Sequence, residues 1–110
     1  MLNRCVVTVR AREPFLRWLE ALPGSAGITL DQVNEDTSVY LLPDHEDDSE
    51  RHSLLASYYA RIFEDQLAGW WTEIRDWPRS RDLETFSRWF DVEFHSIAVD
   101  LVRGPLRDEE

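Results

Sequence analysis

Glu93 and His95 alternate along one strand-like stretch, with Asp91 just before them. A carboxylate beside an imidazole is the smallest set able to pass protons near neutrality, or to supply half of a metal site. Two more histidines, His45 and His52, sit in or beside an acidic run, and Asp48 stands four residues ahead of His52. On a helix that spacing puts both side chains on one face. A divalent ion needs such convergence, because each ligand must reach one centre within about 2.0–2.2 Å. Read for chemistry, the set describes a small metal-dependent hydrolase, with Glu93 and His95 at its centre and His45 or His52 as remote ligands. Read plainly, it describes polar side chains at the starts of a strand and a helix, and on that reading neither metal nor cofactor is expected.

The tryptophans point to contact rather than catalysis. Trp70, Trp71, Trp77 and Trp89 fall close together, interleaved with Arg75, Arg79, Arg81 and Arg88, while Trp18 stands apart. Neighbours on a helix point roughly 100° apart, so one buried stripe cannot hide both Trp70 and Trp71. Either the rings build a satellite core that pins the connector between two helices, or one or two remain exposed. Trp and Arg dominate binding hot spots. Trp70, Trp71, Trp77 and Arg79, with Glu93 and His95, are therefore the candidate binding residues.

Charge narrows the partner. The 110 residues carry 12 Lys+Arg against 22 Asp+Glu, a net charge of −10, and every basic residue is Arg. That balance argues against gripping a nucleic-acid backbone or an anionic membrane surface. Residues 31–50 hold Asp31, Glu35, Asp36, Asp44, Glu46, Asp47, Asp48 and Glu50 with no Arg among them. They form either a solvated loop leading into a helix, or an acidic surface for a basic protein partner, or a mimic of nucleic-acid charge. The single cysteine, Cys5, excludes an internal disulfide and reads as a small buried hydrophobe. No phosphate-cradling glycine loop and no nucleophile elbow occurs. The apolar run Cys5–Val9 is shorter than the about 7–15 residues of a signal-peptide core, so a cytoplasmic location is expected.

The elements that must position these residues follow from periodicity. β-Branched residues over 5–10 predict a strand, apolar on both faces and so buried within a sheet. Glu13-Pro14 opens a helix whose Phe15, Trp18, Leu19 and Leu22 share a face, and Pro23-Gly24 stops it. Residues 28–33 fit either a short strand or a helical turn opened by a Thr29/Gln32 capping box. Ser38–Leu42 is a strand ended by Pro43. Asp47 and Glu50 fit a capping box for a long helix over about 50–70, with Gln66 the polar member of its apolar stripe and Gly69 at its end. Thr72–Arg79 connects to a helix over 81–90 capped by Ser80. Asp91 breaks the pattern of that helix, residues 92–102 make the last strand, and the tail from Gly104 frays. The whole is one α+β domain over 1–110, a two-layer sandwich with three or four strands and helices on one face. It is ferredoxin-like if 28–33 pair as a strand.

The runs Asn34–Pro43, Gly69-Trp70-Trp71-Thr72 and Trp77-Pro78, and Phe86 with Trp89–Ser96, resemble a family of small acidic bacterial proteins of uncharacterised function. The resemblance spans about Val6 to Val102. It implies a free-standing bacterial cytosolic protein and supplies no catalytic residue. The expected role is a non-catalytic interaction or regulatory protein, the hydrolase being the alternative. An uncovered sheet edge also invites self-association.

Overall fold

Strand β1 (Arg4–Ala11) draws on the β-branched run Val6-Val7-Thr8-Val9. In the computed structural model, which describes residues 3–108, β1 is the middle strand of a three-stranded antiparallel sheet of order β2-β1-β3. Strand β2 (Val39–Pro43) pairs along Arg4–Thr8, with Val7 opposite Tyr40. Strand β3 (Phe90–His95) pairs along Val6–Ala11, with Val7 opposite Phe94. The middle position is as expected, but β1 is not buried on both faces. Cys5, Val7, Val9 and Ala11 are buried, whereas the residues between them are partly or fully exposed. Strand side chains alternate between faces, so one face of this sheet meets the core and the other is open.

The described residues hold four α-helices and a short 3-10 turn, an α+β arrangement. Helix α1 (Glu13–Glu20) buries Phe15, Leu16 and Leu19. Residues 28–33 resolve to a helical turn, α2 (Leu30–Val33). The Thr29 hydroxyl accepts from the Gln32 N–H (3.2 Å) and the Gln32 side chain accepts from the Thr29 N–H (2.8 Å), which satisfies two donors that a helix start leaves open. The segment is thereby spent as helix. Among the described residues no fourth strand forms, and the pairing that a ferredoxin-like topology needs is not made.

Helix α3 (Glu50–Ala68) starts at Glu50 as expected. The capping box there is half formed. Glu50 accepts from the Asp47 N–H (2.9 Å), but Asp47 turns to the Ser49 N–H (3.0 Å). Helix α4 (Leu83–Trp89) is capped by Asp82, not Ser80. The Asp82 carboxylate accepts from the Thr85 N–H (2.8 Å), and that bond holds its pKa below the ordinary carboxylate value. Ser80 bonds the Thr85 hydroxyl instead (3.0 Å).

Strand β3 departs most from expectation. It begins at Phe90, which the periodicity assigns to the preceding helix, because Phe90 pairs with Ala11; Asp91, where the helical pattern breaks, already lies in the ladder opposite Arg10. It ends at His95, not at residue 102; residues 96–108 carry neither helix nor strand.

One contiguous core joins these elements. At its centre Phe15, Phe63, Phe86 and Phe90 form a chain of tilted or edge-on rings, with centroids 5.3 Å apart for Phe15–Phe90, 5.5 Å for Phe63–Phe90 and 5.1 Å for Phe86–Phe90. Such pairs add about 0.5–1.5 kcal/mol each beyond area burial. Cys5 is fully buried in this core, and burial raises its thiol pKa, so it is the unreactive hydrophobe its run implies. Among the described residues no helix is long and apolar enough to cross a membrane.

Candidate functional site

The tryptophans divide by what their N–H groups do. Trp18 donates to the carbonyl of Asp76 (2.9 Å), Trp71 to the Asp76 carboxylate (3.0 Å), and Trp77 to the carbonyl of Trp71 (2.8 Å). All three rings are partly buried against the core. They pin the connector and its 3-10 turn (Ile74–Asp76), and the Arg81 guanidinium lies 5.6 Å from the centre of the Trp77 ring. Arg79 is exposed.

Trp70 differs. It follows the end of α3, is 40% exposed, and forms a wall common to two hollows. The first is a cleft of about 220 Å³ between β1, the turn before β2, and the last turns of α3. Its floor is Val9, Ala11 and Val33, and its polar lining includes Asp36, Ser38 and Asp65. The second, of about 540 Å³, opens between Trp70 and the 24–28 loop and has Glu35 at its rim. Gly24 and Gly27 in that loop sit at φ of +80° and +89°, a conformation that a side chain would strain.

Local bonding fixes the first cleft. Asn34, the residue that closes the end of α2, accepts from the Ala11 N–H (2.9 Å) and donates to the Ala11 carbonyl (3.0 Å). This side chain does for the end of β1 what another strand would do. Tyr40, on the inner face of β2, donates to Asp65 (2.6 Å) and accepts from the Gln66 amide (2.8 Å). Burial first, and then the bond to Asp65, push the Tyr40 phenol up to about 12. Asp36 and Asp65 form no ion pair among the described residues. A cleft with an apolar floor, one indole wall and two unneutralised carboxylates is suited to a cation on an apolar stem. The ring face and the carboxylates both favour positive charge.

The imidazoles and carboxylates expected to gather do not meet. His95 and Glu93 contact each other at 3.0 Å on the open face of the sheet. His45 accepts from the Arg51 Nε–H (3.3 Å) and packs edge-on to Phe94, whose ring lies on the opposite face from His95. The other ring nitrogen of His45, Nδ1, is buried without a partner among the described residues. His52 is exposed on α3, and Asp48 pairs with Arg51 (3.2 Å). Among the described residues no group of three His, Cys, Asp or Glu is placed to hold a metal ion.

Of the residues singled out from sequence, the structure thus puts Trp70 at a cleft, Trp71 and Trp77 in the connector with Arg79 beside them, and Glu93 and His95 elsewhere. Asp36 belongs to the acidic run that the sequence offers as a surface for a basic partner; Tyr40 and Asp65 carry no such signal, although Gln66 stands out as a polar member of an apolar stripe. That interruption marks where α3 turns from the core toward the cleft. No family model, curated protein or solved structure matches the chain.

Proposed function

We propose that this chain is a non-catalytic interaction module that takes a basic segment of a protein partner at the Trp70 cleft. The observation that carries the reading is the half-exposed Trp70 ring beside Asp36 and Asp65, with Glu35 at the adjoining rim. An Arg or Lys side chain from the partner would lay its methylene stem along the Trp70 indole and its charged head against the carboxylates. The net charge of −10 supports it at longer range, since an acidic surface speeds the encounter with a basic chain. The reading places the module in the cytoplasm, in keeping with the small acidic bacterial proteins it resembles, with its helices as one layer over the sheet.

The test is calorimetric titration with a capped peptide of alternating Arg and Ala, against the same peptide with Glu in place of Arg. Saturable binding of the Arg peptide, lost in Trp70→Ala and weakened in Asp36→Asn and Asp65→Asn, is the expected result. Binding that survives Trp70→Ala unchanged would reduce the effect to bulk charge and overturn the assignment.

A further inference from the structure

The residues after β3 read as a strand and are not one. Ile97, Val99 and Leu101 alternate in the strand period, yet the ladder stops at His95. All three side chains are exposed, Ile97 by 69% and Leu101 by 90%, and Val102 and Leu106 are exposed beside them. Alternating apolar residues gain strand geometry only with a partner strand, and among the described residues none pairs with this segment.

A matching edge exists on the far side of the sheet. The order β2-β1-β3 leaves the outer edge of β2 unpaired. Val39–Leu42 contains no charge and no proline before Pro43, so it lacks the usual devices that protect an edge. On the open face of β2, Val39 and Leu41 are 56% and 47% exposed. Acid flanks the strand at both ends, with Glu35 and Asp36 before it and Asp44, Glu46 and Asp47 after it. The arm carries Arg103 and Arg107 beyond its apolar stretch, and neither is in an ion pair among the described residues.

We infer that residues 97–101 of one copy add as a strand to the β2 edge of a second copy, with Arg103 and Arg107 following it, and that two copies exchange these arms reciprocally. The five residues Ile97–Leu101 match the five of β2 in length. In either strand polarity Arg103 arrives beside acid, at residues 44–47 if parallel and at 35–36 if antiparallel. Backbone ladder bonds supply affinity, Ile97, Val99 and Leu101 pair laterally with Val39 and Leu41, and the arginines neutralise part of the acid. Because β2 and β3 lie at opposite edges with β1 between them, a two-fold axis lets each copy give one arm and receive one.

The test is the mass of the full chain by light scattering after gel filtration, from micromolar to millimolar, at low and high salt. A monomer–dimer equilibrium is expected, shifted to monomer by high salt, by Leu101→Asp in the arm and by Leu41→Lys on the edge. In a Cys5→Ala background, Val39→Cys with Ile97→Cys should oxidise to a covalent dimer if the pairing is parallel, and Val39→Cys with Leu101→Cys if it is antiparallel. Trp70→Ala should leave the dimer intact, which separates this result from that of the cleft. A single-chain mass at every concentration would overturn the inference. So would a dimer indifferent to both surface variants, or an oxidised pair closed within one chain.

Discussion

Tyr40 shows how one hydroxyl ties the cleft together. It bridges β2 to α3 through Asp65 and Gln66, and its phenol is held protonated by burial and by the hydrogen bond it donates to the Asp65 carboxylate. In the unfolded chain this group ionises near its ordinary value of 10.0; in the folded protein it does so at about 12. The folded state therefore keeps a proton that the unfolded state loses. The contribution to stability is complete below pH 10 and disappears as pH rises toward 12. Denaturant midpoints measured across that window should fall steeply for the native sequence and less steeply for Tyr40→Phe. Equal slopes would mean that the hydroxyl is not the titrating link. None of this was legible beforehand, because Tyr40 reads as an ordinary strand aromatic and its partners lie 25 and 26 residues away.

At the scale of elements, some local signals carry straight through into the fold. The Thr29/Gln32 box forms as its spacing implies, α3 starts at Glu50, and Pro14 sits in the first turn of α1. The fold departs from the local signals where a distant partner decides, or where two nearby residues compete for one cap. Phe90 looks like the end of a helix until Ala11 is placed opposite it, and 96–102 looks like a strand although no ladder reaches it. Ser80 and Asp82 are both good caps; Asp82 takes the role because its carboxylate reaches the Thr85 N–H. The connector between α3 and α4 depends on tertiary bonds in the same way. Asp76 accepts one indole on its carbonyl and another on its carboxylate. Asp76→Ala should cost up to about 1 kcal/mol, the net worth of one such bond. Amide exchange should quicken over residues 72–78 while the core of α3 is unchanged. Uniform quickening across the chain would contradict a local role.

For the whole molecule, the division of labour follows the two faces of the sheet. The inner face and the helices share one aromatic core, and the outer face and the arm leave apolar and charged groups in water. Phe63 touches Phe86, Trp89 and Phe90 and is fully buried. Phe63→Ala should cost about 3–5 kcal/mol. That is a large share of the roughly 5–15 kcal/mol that holds an ordinary domain folded. Urea unfolding followed by circular dichroism would measure it, and a loss below about 1 kcal/mol would place the core elsewhere. By the same logic Trp70→Ala, at the rim, should barely move the unfolding midpoint, so its effect on binding can be read without a folding artefact.

That separation allows a direct trial of the cleft. The chain has five tryptophans, and the N–H groups of Trp18, Trp71 and Trp77 are tied to atoms in or beside the connector. In a nitrogen–proton correlation spectrum the five indole signals can be assigned by single Trp→Phe changes and followed as the alternating Arg peptide is added. The Trp70 signal should shift progressively and saturate while those of Trp18, Trp71 and Trp77 hold still. A Trp70 signal that stays fixed while the peptide binds would contradict the account.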